Sequence, residues 1–135
     1  MTKTYDLPDG RKVKVTAKNK RVAKKFMGAE HYAYTITIEV DDKMFKTTYH
    51  DSIRNYNIGR GATEEMIDTA LDCILMDYDS YDYNPDLNDF MDEYGYDPGD
   101  DKGEKVYKAC KATFEALNAM FTRQELEDLT NMVDR

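Results

Sequence analysis

Cysteine and histidine are scarce in this chain of 135 residues, with two of each. Cys73 and Cys110 cannot make the disulfide framework of a small secreted domain. A reducing, cytoplasmic compartment is therefore expected. His31 and His50 leave little for histidine-based catalysis, and no CxxC or HxxxH spacing suggests zinc or iron. No apolar run approaches the ~18–20 residues that cross a bilayer, so no membrane partner is expected. The stretch Met1-Thr2-Lys3-Thr4-Tyr5-Asp6 lacks the apolar segment of a signal peptide.

What is abundant is charge, and it is split along the chain. Lys and Arg number 19 against 27 Asp and Glu, a net of −8. Residues 1–29 hold nine bases and two acids, whereas residues 64–104 hold 15 acids and one base, Lys102. Charge asymmetry of this kind speaks about partners rather than about fold. The plainer reading of each patch is a solvated face, on a hairpin for the bases and on helices for the acids.

The first half reads as strands. Val13 and Val15 alternate with lysines after the turn Pro8-Asp9-Gly10, so a short strand over Thr4–Leu7 is expected to pair with 11–16. Lys18-Asn19-Lys20-Arg21 looks like a polar turn, and beyond it Val22 and Phe26 could face the core on either a strand or a single helical turn. Tyr32, Tyr34, Ile36, Ile38 and Val40 fall on one face of the clearest strand. Asp41-Asp42-Lys43 then leads into a second alternation at Phe45, Thr47 and Tyr49, which completes a hairpin.

The second half reads as helices. Gly59-Arg60-Gly61 breaks the chain, and Thr63 is the expected cap of a helix with the stripe Ile67, Ala70, Leu71, Ile74, Leu75 and Tyr78. Asn84-Pro85 predicts a second start, and Gly95 its stop. Residues 97–103 read as a loop before a long helix carrying Val106, Cys110, Thr113, Phe114 and Leu117. Thr122 and Glu125 form a capping box for the last helix, with Phe121 and Leu126 as a hydrophobic staple. The expected fold is one α+β domain over 1–135. An antiparallel sheet of three to four strands (1–58) is followed by three to four helices (62–134) on one of its faces.

Chemistry is harder to find. Asp77 and Asp97 each fail as position one of a calcium loop, because Gly at six and Glu at twelve are missing. Cys73 and Cys110 sit beside or within apolar stripes and read as structural thiols. Gly59-Arg60-Gly61 lacks the lysine of a phosphate loop, and Glu64 and Glu65 occupy the helix start that a phosphate would need. Carboxylates are plentiful, but nothing marks a cleft that would separate two pKa values. No catalytic residue, metal or cofactor is expected, and the protein is read as not an enzyme.

Two partner-binding patches remain. One interleaves Tyr81 and Tyr83 with Asp77, Asp79, Asp82, Asp86, Asp89, Asp92, Glu93, Asp97, Asp100 and Asp101. Spaced carboxylates can stand in for a line of phosphates in a basic groove, and tyrosines supply contact area. The other is basic: Lys12, Lys14, Lys18, Lys20, Arg21, Lys24 and Lys25 could contact nucleic-acid phosphates while Tyr32 or Tyr34 stacks on bases.

A further pattern spans roughly residues 47–130. Its runs are Thr48-Tyr49-His50-Asp51-Ser52, Ala70-Leu71-Asp72-Cys73-Ile74-Leu75-Met76-Asp77 and Phe90-Met91-Asp92-Glu93-Tyr94-Gly95-Tyr96. Val106-Tyr107-Lys108-Ala109-Cys110 and Phe121-Thr122-Arg123-Gln124-Glu125-Leu126 follow. This order resembles small acidic proteins carried by phages and mobile elements of gut and Gram-positive bacteria, among which are anti-CRISPR inhibitors. The resemblance implies an inhibitor of a host defence protein, a CRISPR effector nuclease first, acting in the bacterial cytoplasm as a DNA mimic. The alternative is an accessory protein of phage replication or recombination that binds nucleic acid through its basic strands. The matching motifs are core and capping residues, so they carry over no functional residue.

Overall fold

The computed structural model describes residues 1–26, 29–52 and 64–133, with backbone alone at 24–26, 29, 30 and 52. Strands β1 (Thr2–Asp6), β2 (Lys12–Phe26), β3 (Ala29–Val40) and β4 (Lys43–Ser52) form an antiparallel meander in the order β1-β2-β3-β4. Helices α1 (Glu64–Tyr81), α2 (Leu87–Glu93), α3 (Asp101–Met120) and α4 (Arg123–Val133) follow. This is the expected α+β arrangement. The anticipated cap Thr63 and the Gly59-Arg60-Gly61 break lie outside the described residues.

Turn chemistry sets the strand connections. Gly10 takes φ 93°, and the β1–β2 turn closes through Leu7 N–H to Arg11 O at 2.9 Å. Asp41, at φ 54°, makes the tight β3–β4 connection with Asp42, because Asp tolerates the left-handed region. Lys18–Arg21 is not a turn. The strand runs on through a bulge, with Asn19 at φ 57° and the register to β3 shifting between Lys18 and Arg21. Asn absorbs the extra residue without leaving the sheet. Beyond it Val22 is exposed rather than core-facing, and the Phe26 side chain lies outside the described residues.

One face of the sheet carries the core. Val13, Val15, Ile36, Ile38 and Val40 are almost fully buried against Ile67, Ala70 and Leu71 of α1, with Leu117 of α3 and Leu126 and Leu129 of α4. Helix α1 lies centrally, touching β1, β2, α3 and α4. A second, smaller cluster gathers Tyr81, Phe90 and Cys110 with Tyr96, Val106, Tyr107 and Phe114. It packs α2 onto the far ends of α1 and α3.

The last helix follows the predicted capping box, and two starts move. Thr122 N–H donates to Glu125 Oε1 at 2.8 Å, and Glu125 N–H donates to Thr122 Oγ1 at 3.2 Å. The α2 cap is Asp86, not Asn84, which instead sits at φ 52°. Pro85 is buried between the two, and its carbonyl accepts from Tyr107 Oη at 2.9 Å, so tertiary contact fixes where α2 starts. Helix α3 begins at Asp101, within the stretch expected as a loop, and Gly103 is buried in its first turn.

Candidate functional site

The acidic pole is built on α2 and its two connections. Residues 77–101 contain ten carboxylates and no base. Asp86 Oδ1 accepts the Asp89 N–H at 2.8 Å to start α2. A Schellman motif ends it, with Tyr96 N–H on Met91 O at 2.8 Å and Gly95 N–H on Asp92 O at 3.4 Å. Gly95, at φ 75°, occupies the left-handed position the motif requires. Asp100 Oδ1 then accepts the Lys102 N–H at 2.9 Å to start α3. Gly103 lets this turn close, because a Cβ there would stand 2.6 Å from Tyr96 Cγ. Below, Phe90 packs on Tyr107 at 5.2 Å between centroids, and Tyr81 on Tyr107 at 5.4 Å.

The ten carboxylates have different duties. Asp86 and Asp100 are caps. Asp82 is held by Arg123, whose Nη1 donates to Oδ2 at 2.8 Å, and that bond keeps the Asp82 pKa below the usual range. Glu93 accepts from the Tyr83 hydroxyl. Asp77 turns its carboxyl toward Cys110 Sγ at 4.0 Å, although the residue as a whole is exposed. Loss of water there raises its pKa, as burial does for Asp79, helped by the charge of Asp82. Asp89, Asp92, Asp97 and Asp101 are exposed and make no ion pair among the described residues.

Of the tyrosines expected on this face, Tyr81 belongs to the core, 4% exposed and within 3.3 Å of the Tyr107 hydroxyl. Continuing the α1 stripe one more turn, from Ile74 and Tyr78 to Tyr81, would have placed it inside. Tyr83 stays outside at 53% exposure. Tyr94 is 44% exposed with its ring 4.7 Å from Phe90.

The basic residues take a different position. Lys12, Lys14 and Lys18 lie on the face of the sheet away from the helices, where Lys12 pairs with Asp6 at 2.6 Å and Lys14 with Glu39 at 3.8 Å. Arg21 is the register partner of Ala33, and Lys20 reaches over the Tyr32 ring at 4.3 Å. The side chains of Lys24 and Lys25 lie outside the described residues. Tyr32 and Tyr34 are buried, at 6% and 2% exposure, among the residues that pack under the helices. Neither ring is open for a base to stack on. Lys46, on the open face beside Thr37, was not singled out from the sequence. Only strand register places it there.

The remaining chemistry-bearing groups serve the fold. Cys110 is buried, its thiol pushed up to about 11 by burial and then by Asp77. The Cys73 thiol is raised by burial too. Thiols held protonated at neutral pH are poor nucleophiles. No group of three or more His, Cys, Asp or Glu side chains among the described residues could hold a metal ion. Asp68 accepts from Lys3 Nζ at 2.7 Å and Tyr5 Oη at 2.5 Å, tying β1 to α1. Arg11 bridges Glu125 and Asp41 and donates to Met120 O at 3.0 Å, tying the first turn to the α3–α4 corner. No described helix is long and apolar enough to cross a membrane. No protein-family model, curated protein or solved structure matches the chain.

Proposed function

We propose that the protein is a non-enzymatic inhibitor whose acidic pole occupies the Lys/Arg-lined channel of a host nucleic-acid-targeting defence protein, a CRISPR effector nuclease first. One observation carries the reading. Asp89, Asp92, Asp97 and Asp101 present exposed carboxylates without ion pairs around a short helix pinned at both ends by caps. A groove that binds phosphates would meet fixed negative charges, and preorganisation lowers the cost of binding them. Tyr83 and Tyr94, exposed on the same pole, add aromatic contact area of the kind that dominates interface energetics. The phage origin and the choice of target rest on the resemblance of residues 47–130. The second reading is an accessory protein that binds nucleic acid through the basic strands; with Tyr32 and Tyr34 buried, it would have to do so without stacking bases on those rings.

The test is target-DNA cleavage by a panel of purified RNA-guided nucleases, with the protein added before or after DNA loading. Inhibition confined to addition before loading is expected. Asp89→Lys, Asp92→Lys and Asp97→Lys together should abolish it while circular dichroism stays native, since none of the three caps a helix or pairs with a base. Full inhibition by that folded variant would remove charge mimicry as the mechanism.

A further inference from the structure

Strand register arranges the sheet face opposite the helices in rows. Lys18, Thr35 and Thr48 are aligned across β2, β3 and β4, as are Thr16, Thr37 and Lys46, and then Lys14, Glu39 and Met44. Directly paired residues share a face, so these rows form one surface. No described helix packs on it. It forms a shallow trough of about 290 Å³ lined by Thr2, Thr16, Thr35 and Thr37 with Lys14, Lys18 and Lys46 among others. Met44 is the one large apolar side chain in this lining, so the face does not call for an apolar cover.

The chemistry of the trough is that of an oxyanion binder. Its threonine hydroxyls and lysine ammonium groups are hydrogen-bond donors, although the Thr2 and Thr16 hydroxyls bond to each other at 3.3 Å and the Glu39 carboxylate also lines the trough; lysines meet phosphates as point charges. Lys12 and Lys14 are already engaged by Asp6 and Glu39. Lys18 and Lys46 make no ion pair among the described residues. They flank β3 from either side, two residues out of line, so their backbones stand about 12 Å apart on a diagonal across three strands. Arg21, exposed just past the bulge, extends the cationic side.

We propose that this open sheet face binds the sugar–phosphate backbone of single-stranded nucleic acid, independently of the acidic pole. A flexible strand can follow the diagonal from Lys18 to Lys46 and settle onto the hydroxyl floor, whereas a rigid duplex reaches only the rim. With Tyr32 and Tyr34 in the core, the face offers charge and hydroxyls but no stacking platform. Binding is therefore indifferent to sequence and strongly salt-dependent.

The probe is a fluorescein-labelled oligothymidylate of about 20 nucleotides, followed by anisotropy at low salt against the full chain. Neutralising two phosphates gives a slope of log K on log salt near −1.4, and four give about −2.8. Lys18→Glu with Lys46→Glu should weaken binding about tenfold or more, while Lys18→Arg with Lys46→Arg restores it. The Lys-to-Ala pair provides the same reading with a smaller change in charge. Reversing Asp89, Asp92 and Asp97 to Lys should leave this binding intact or tighten it, which separates the sheet face from the inhibitor reading. The proposal falls if wild type does not bind, if the double reversal binds as wild type does, or if a duplex of equal length binds more tightly than the single strand.

Discussion

On the open sheet face the lysines stand on strands whose other side is clamped by Val13, Val15, Ile36 and Ile38, all 0% exposed. At the acidic pole, Asp86 and Asp100 hold helix ends, and the cluster beneath centres on three buried residues, Tyr81, Phe90 and Cys110. Surface charge on the sheet is thus separable from the fold, whereas at the pole part of the charge is structural. A charge scan therefore reads binding directly on the sheet. At the pole it does so only at Asp89, Asp92, Asp97 and Asp101.

The largest effect should come from the main core. Ile38→Ala empties a site between β3 and the helices and should cost about 4 kcal/mol, as for other fully buried aliphatic truncations. Urea unfolding followed by circular dichroism should show one transition at a lower midpoint. Amides of β3 and α2 should lose hydrogen-exchange protection together, because the pole cannot outlast the core that carries it.

Gly103→Ala should act differently. The new Cβ would meet the Tyr96 ring at 2.6 Å and Met91 Cε at 2.7 Å. Met91 can move aside, but the ring is held in the small cluster. A cost of about 2–3 kcal/mol is expected, at the upper end for overpacking. Exchange protection should fall across 86–96 while β3 keeps its own. Equal loss in β3 would break the comparison and make the two regions one cooperative unit.

Arg11→Met probes the strap between the first turn and the α3–α4 corner. Glu125 is buried, which by itself raises its pKa, but the Thr122 N–H and Arg11 outweigh burial and the net shift is downward. An ionised form favoured in the fold contributes stability above the ordinary carboxylate range and loses it as pH falls through the folded pKa. Removing Arg11 should thus cost about 1–2 kcal/mol at pH 7, below the figure for a fully buried pair because Arg11 keeps 25% of its side-chain surface. The deficit should shrink below about pH 4 as Glu125 takes up a proton. A deficit that does not change with pH would assign the strap to packing of the Arg11 stem instead.

The same contrast explains what could be read from the sequence. Alternation at Tyr32 to Val40 and the 3.6-residue stripe of α1 gave the large core, because a face that must be buried imposes its period on the residues. The Thr122–Glu125 box and Gly95 were legible for a local reason, since each satisfies orphan backbone groups within a few residues. What escaped depends on contacts distant in sequence. Asn84-Pro85 and Asp86-Leu87 are both plausible helix starts, and the Tyr107 hydroxyl on the Pro85 carbonyl decides between them. Gly103 resembles a loop residue until Met91 and Tyr96 are seen against it. The density of acids is plain in the sequence, but only the structure separates caps from free carboxylates. Lys46 became part of a face only through its pairing with Thr37.

The smallest effect tests whether the pole carries electrostatic strain. Asp51, Asp77 and Asp79 all have raised pKa values, chiefly because burial disfavours their charged forms. A carboxyl raised in the fold contributes stability that is complete below its unfolded pKa and is lost as pH rises through the folded value. These three therefore oppose Glu125 and Asp82 in sign, and their effect lies just above the ordinary carboxylate range. Asp77→Asn removes one of them while keeping an amide beside Cys110. At pH 7 the variant should be more stable than wild type, by less than about 1 kcal/mol because the residue is partly solvated. The advantage should shrink as pH falls through the acid range and vanish only below the ordinary Asp value, by about pH 3, where Asp77 is protonated in folded and unfolded chains alike. Alkylation of Cys110 offers a second reading, since removing the Asp77 charge lowers the thiol pKa and should quicken its reaction at alkaline pH. An Asn variant with the same urea midpoint difference at pH 7 and pH 3, and unchanged thiol reactivity, would mean that Asp77 sits in water like its neighbours Asp89 and Asp92.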